Sequence, residues 1–196
     1  MRDFHTITST TGLLDVGEVE RFGLPIAALL AQLRSVIENL SDAQYAQKPV
    51  GVVESSIGGH VRHCLDHVRA LLSAVNTGVL DYDHRQRGTA VELCRQAAMD
   101  EARRLMDELS QLPGDAPARL VRMSVLMSAD APPLRVYSTI GREMAYTLSH
   151  TIHHNALIAA MVRTLGGWLP ERFGYAPSTP ISGQLGNSGG PAAATL

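Results

Sequence analysis

The sequence predicts an all-α chain of four long helices with a small β-hairpin inserted between the third and fourth. Three observations carry that reading. Apolar residues recur at helical spacing over four segments, glycine or proline stops three of them, and one short stretch changes to a period of two.

The first helix is expected over 24–40, where Ile26, Leu29, Leu30, Leu33, Val36, Ile37 and Leu40 keep a 3.6-residue period and Pro25 suits a first-turn position. Residues 41–55, with Pro49 and Gly51, read as a connection. A second helix begins at Ser55 or Ser56, either of which can cap it, and runs to Thr77 before Gly78. Residues 78–88 read as an ordered loop, and the third helix covers 89–112, stopped by Pro113 and Gly114. Alternation over 120–125, and a second short run at 134–138 after Pro132 and Pro133, predict two strands of a hairpin. The fourth helix is expected over 139–165, stopped by Gly166 and Gly167. Residues 173–196 carry no charge, and 182–196 are small and poor in apolar groups. The chain is therefore read as one domain over 1–180 with a disordered tail at 181–196.

Composition narrows the function classes. With 45% hydrophobic residues, 18% charged residues and a formal net charge of −2, the profile is that of a soluble globular protein. Such a balance argues against a nucleic-acid partner, which needs a concentrated basic surface; the arginines at 85, 87, 103 and 104 lie among carboxylates and read as solvated faces. No apolar run approaches the roughly 18–20 residues of a membrane span, and the N-terminus lacks a signal-peptide pattern. Cys64 and Cys94 both fall in helical patterns and form no CxxC pair. They are expected to be reduced and buried, which suits a cytoplasmic protein.

Chemistry concentrates in the histidines. Six of the eight lie in two clusters, HVRHCLDH (60–67) in the second helix and HTIHH (150–154) in the fourth. At 100° per residue, Ile57, Val61, Cys64, Leu65, Val68, Leu71, Leu72 and Val75 form the apolar arc of the second helix. His60, His63 and His67 form a stripe on its flank. In the fourth helix His150 and His154 project near the centre of the apolar face, on a line with Glu143, and His153 points to the side. Glu143 and two histidines within an apolar stripe are costly to bury without partners. His150 and His154, four residues apart, have the spacing at which two imidazoles of one helix bind one ion, and a third from the second helix would complete a three-nitrogen site. Three protein ligands leave a coordination position for water or substrate, the layout of a catalytic centre.

Blander readings stand beside this one. A lone HxxxH is a weak signal, and the histidines can instead pack and hydrogen-bond within a structural bundle. His153 reads as a neighbour of the site or a surface residue, His84 as solvent-exposed, and His5 as part of an unstructured start. Cys64 reads as core, as do Tyr137 and Tyr146 by default. Gly58 and Gly59 are better explained by close helix packing than by phosphate binding. No GxSxG, Walker or GxGxxG motif is present.

Over 24–180 the chain resembles the DinB/YfiT-like metalloprotein superfamily. The resemblance rests on the early histidine motif SIGGHVRH (56–63), the late SHTIHHN (149–155) and the following LPERFGYAPST (169–179). It implies a four-helix bundle with up-down-down-up connectivity, whose long crossover falls on 78–88. It also implies metal ligands at His63, His150 and His154, with His60 as the alternative in the second helix. The implied cofactor is a divalent transition metal such as nickel, zinc or iron, among which imidazole does not discriminate. Relatives of this kind resemble thiol-dependent transferases or isomerases acting on a small molecule with a low-molecular-weight thiol as partner.

The resulting expectation is a metal-dependent enzyme, a thiol-dependent transferase or a hydrolase, with Glu143 orienting a ligand or acting as base. The alternative is a non-catalytic metal- or small-molecule-binding bundle, acting in stress response or as a dimeric interaction module. Homodimers are common for such bundles, although no residue of the chain marks an interface.

Overall fold

The computed structural model describes residues 16–49, 51, 53–83 and 86–180. Its helices are α1 (Val16–Glu38), α2 (Asp42–Ala46), α3 (Ile57–Thr77), α4 (Ala90–Leu93), α5 (Arg95–Ser110) and α6 (Ile140–Thr164). Its strands are β1 (Val79–Asp81), β2 (Leu120–Val125) and β3 (Leu134–Thr139). Helix α1 packs against α5 and α6, and α3 packs against the same two helices. Between them lies one apolar core, with Ile26, Leu30 and Leu33 from α1, Leu65 and Val68 from α3, and Ile158 and Met161 from α6. On α5 the buried face is Ala98, Ala102, Leu105 and Leu109, whose small alanines let neighbouring helices approach closely.

The helices that carry the histidines are set by their caps. The Ser56 hydroxyl accepts from Gly59 N–H at 3.0 Å and opens α3, and Gly78 closes it in the left-handed conformation (φ 69°). The Thr139 hydroxyl accepts from Arg142 N–H at 3.2 Å and opens α6. These ends agree with the punctuation of the sequence.

Elsewhere the structure corrects the sequence reading. The first helix starts at Val16, not Leu24, and Pro25 lies inside it rather than in its first turn. One lost backbone hydrogen bond is outweighed there by the core face that includes Ile26, Leu30 and Leu33. The connection over 41–55 contains α2, held by a capping box between Ser41 and Gln44. The expected third helix is broken at Cys94, which is extended (φ −128°, ψ 117°) and separates α4 from α5. That break lets α4 close over the start of α3, where the Tyr45 hydroxyl donates to the Val91 carbonyl at 2.7 Å. Cys94 is exposed, contrary to expectation, whereas Cys64 is buried; both are free thiols.

The expected loop after α3 begins with β1, which joins the sheet. Strand β1 pairs in parallel with β2, and β2 pairs antiparallel with β3, in the order β1-β2-β3. Three residues are too short to show a period of two, so only the partner strand reveals β1. Because β1 leaves α3 and β3 runs into α6, the sheet sets Tyr82 beside the first turns of α6: its hydroxyl lies 3.2 Å from Thr147 Oγ1. No helix among the described residues is long and apolar enough to cross a membrane. The expectations for His5, His84 and the tail at 181–196 lie outside the described residues.

Candidate metal centre

Helices α3 and α6 bring the two histidine clusters together. One ring nitrogen from each of His63, His150 and His154 lies within 4.8 Å of the other two, so these three can hold a metal ion. His63 Nε2 and His150 Nε2 are 2.9 Å apart. A single proton or a single cation between them satisfies both nitrogens. All three side chains are half-buried, which keeps them reachable from solvent while limiting their hydration.

The charge state suits metal binding. The His154 imidazole is pushed down to about 3, first by burial and then by the neighbouring His150, His60, His153 and His67. It is therefore neutral over the physiological range, the form in which imidazole offers a lone pair to a metal. His60 is likewise lowered, chiefly by burial and then by His153. The donor set, three clustered imidazoles with no carboxylate among them, fits a borderline transition metal better than magnesium or calcium, which prefer oxygen.

His60 does not join the group of three. Its Nδ1 faces His154 Nδ1 at 3.0 Å, and its Nε2 is buried with no hydrogen-bond partner among the described residues. His153 is exposed, with its ring edge-on to His154 at 5.2 Å. Glu143 also stands outside the group: it is completely buried and accepts at Oε1 from the Ser138 hydroxyl and the Arg142 guanidinium, each at 2.6 Å.

The sequence placed His67 in the flank stripe without giving it a role, and it did not single out Tyr82. The His67 ring is buried between Tyr82, stacked at 4.7 Å, and His150, stacked at 4.0 Å. Its Nδ1 lies 3.0 Å from the His63 carbonyl, which can only accept, so Nδ1 carries the proton. Tyr146, half-exposed, stacks on the His150 ring at 5.6 Å. Burial raises the Tyr82 phenol above its ordinary value, and Glu143 and Tyr146 add to this. The signal for His67 was present, since it continues the stripe of His60 and His63 at i+7 and i+4. Tyr82 gave none, because its position depends on β1.

His60, His63 and His154 line a cleft of about 560 Å³ whose rim carries Lys48, Arg87 and Glu54. Arg62, also on its wall, is held by Asp66 at 3.0 Å and Glu92 at 2.9 Å, which ties α3 to α4. The cleft gives small molecules a path to His63 and His154.

Comparison with known proteins bears on the fold and the family. The chain is similar to a DinB-like protein of Bacillus subtilis of known crystal structure, at a TM-score of 0.54 and 16% identity, covering 78% of this chain and 98% of that one. At that identity the likeness speaks for the fold alone. It is also 34% identical over 114 residues to FK506-binding protein 5 of Rhizopus delemar, a match covering 57% of this chain but only 29% of that longer protein. The family model of the DinB superfamily matches residues 26–158, a span that includes both histidine clusters, and the chain belongs to that superfamily.

Proposed function

We propose that this chain is a metal-dependent DinB enzyme in which His63, His150 and His154 hold one divalent transition metal, nickel, zinc or iron. The observation that carries the reading is the approach of three imidazole nitrogens to within 4.8 Å of one another, two of them on residues, His63 and His154, that line an open cleft. Three protein donors leave room for a further ligand, and the cleft lies where that ligand would enter. Such a metal lowers the pKa of a thiol or water that it contacts and so supplies a nucleophile at neutral pH. The reaction class is transfer to or from a low-molecular-weight thiol, or hydrolysis of a small molecule.

The surrounding residues have distinct tasks in this reading. His60, facing His154 Nδ1, holds that ring's tautomer and orientation, as partners of metal-binding histidines commonly do. His67, proton-bearing at Nδ1 and stacked on His150, fixes the angle of the second ring. Up-down-down-up connectivity belongs to the same proposal. It is supported by the parallel pairing of β1 with β2, which requires a crossover and obtains it through α4 and α5. A cytoplasmic location and a homodimer complete the proposal.

Elemental analysis of the purified chain tests the centre. About one equivalent of nickel, zinc or iron is expected, lost in His63→Ala, His150→Ala and His154→Ala. Protein that is metal-free, and whose stability ignores both chelators and these substitutions, would overturn it. A panel of small thiols against electrophiles then separates enzyme from binder. Rates above background that vanish in His63→Ala support catalysis, and background rates throughout favour the alternative of a non-catalytic binding bundle.

A further inference from the structure

Tyr82 and Tyr146 also line a second cleft, of about 650 Å³, whose lining includes none of the histidines among the described residues. Its walls are apolar surface of the sheet and the β2–β3 connection, where Met127, Leu134, Val136 and Tyr137 are exposed. Glu143 lies at its base, 0% exposed. Oε1 is saturated by Ser138 and Arg142, but Oε2 has no hydrogen-bond partner among the described residues. The nearby Tyr82 hydroxyl lies 3.2 Å from Thr147 Oγ1 and has a weaker interaction with the Glu143 carboxylate, without meeting hydrogen-bond geometry at Oε2. A buried carboxylate oxygen without a donor is costly, and buried orphans in native proteins call for a specific explanation. At the base of an apolar cleft, a ligand's donor group is such an explanation.

We infer that this cleft binds an apolar molecule bearing a primary amine, whose ammonium donates to Glu143 Oε2 while its hydrocarbon lies on β2 and β3. Charge favours an amine over other donors. Among the described residues, Glu143 and Asp83 line the cleft against one cation, Arg142, and that guanidinium is already engaged by Glu143 Oε1 and lies 5.7 Å from the Tyr146 ring centre. Tyr82, Tyr137 and Tyr146 add aromatic rings, which attract cations over their faces. A carboxylate would meet two like charges, and an alcohol would supply the hydrogen bond without the Coulombic gain. The exposed side chains of Arg142 and Tyr146 line the cleft together with Glu143, and exposed rotamers change within nanoseconds. Tyr146 belongs to both sites, since its ring also stacks on His150. The inference goes beyond the metal reading and does not depend on it.

Calorimetric titration of the full chain with hexylamine, hexanol and hexanoate tests it, in the presence and absence of chelator. Hexylamine should bind saturably and equally in both conditions, about tenfold or more tighter than hexanol or hexanoate. Glu143→Gln keeps the shape and the acceptor toward Ser138 and should weaken hexylamine about tenfold. Val136→Arg, at an exposed position on β3, should abolish binding without altering the melting temperature, and it decides the matter if Glu143→Gln does not fold. Equal binding of the three probes, binding that disappears with chelator, or native affinity in either variant would overturn the inference.

Discussion

Replacing Gly58 with alanine probes the contact that seats α4 over the histidine-bearing end of α3. A methyl group there would stand 2.1 Å from the Glu92 carbonyl oxygen, 2.7 Å from Tyr45 Cε1 and 3.1 Å from the Glu92 carbonyl carbon. Two of these neighbours are backbone, so the clash cannot be relieved by a rotamer. Helix α4 would have to move, against the Tyr45 to Val91 hydrogen bond (2.7 Å) and the Arg62–Glu92 ion pair (2.9 Å). Overpacking of this kind costs about 1–3 kcal/mol, whereas alanine in a helix regains up to about 1 kcal/mol over glycine. The net expectation is a loss of about 1–2 kcal/mol, or roughly 2–8 °C in melting temperature for a domain of this size. Gly59→Ala is the control. Its methyl would meet the Ser55 hydroxyl at 2.4 Å, a side-chain atom that can rotate away, so the variant should stay within about 1 kcal/mol of native. Urea unfolding followed by circular dichroism reads both numbers from the midpoint at constant slope. A Gly58→Ala protein as stable as the Gly59→Ala protein would refute the packing argument.

Other expectations follow from single environments. Burial pushes the Cys64 thiol up to about 12, so in the native protein it should remain unlabelled by Ellman's reagent even near pH 10, with Cys94 the accessible thiol and both reacting in denaturant; two thiols reacting at one rate in the folded state would contradict this. His153→Ala should retain the metal that His154→Ala loses, because His153 lies outside the three-nitrogen group; equal loss of metal in both variants would count against that geometry. Glu101 is held below the ordinary carboxylate range, first by Arg104, against a burial effect that raises it, with Arg69 lowering it further. The unfolded chain therefore takes up this proton before the folded one. The stabilisation is present above the unfolded value and fades as pH falls through the folded one. Both arginines are nearly half exposed, so Glu101→Gln should cost about 1 kcal/mol or less at pH 7, and a deficit that persists unchanged at pH 3 in urea unfolding would be inconsistent with this pairing. Tyr45→Phe removes the donor to the Val91 carbonyl and should cost about 1 kcal/mol, seen as a lower urea midpoint.

Local rules made part of the site readable. Ser56 can cap the helix that follows it, Gly78 can adopt the left-handed turn that ends α3, and Gly166 and Gly167 stop the last helix, so these ends of the histidine helices were bounded by residue chemistry alone. Four-residue spacing likewise placed His150 and His154 on one helix face. Elements whose form depends on a distant partner were not readable. Strand β1 exists because β2 accepts it, and α4 separates from α5 because the chain must fold over Gly58 and Tyr45.

By itself, then, the sequence determined which helices carry the imidazoles and which two share a face, because capping and the 3.6-residue repeat are properties of a few neighbouring residues. The choice between His60 and His63 could not be made that way, since both lie on one flank of α3 and differ only in what α6 sets opposite each. Tertiary structure brings His63 Nε2 to His150 Nε2 and turns His60 toward His154 Nδ1 instead. It also separates Glu143 from the imidazoles by pairing it with Ser138, a contact that the placement of β3 against α6 supplies. Those distances are set by helix packing and sheet register, which depend on the whole core rather than on any local run of residues.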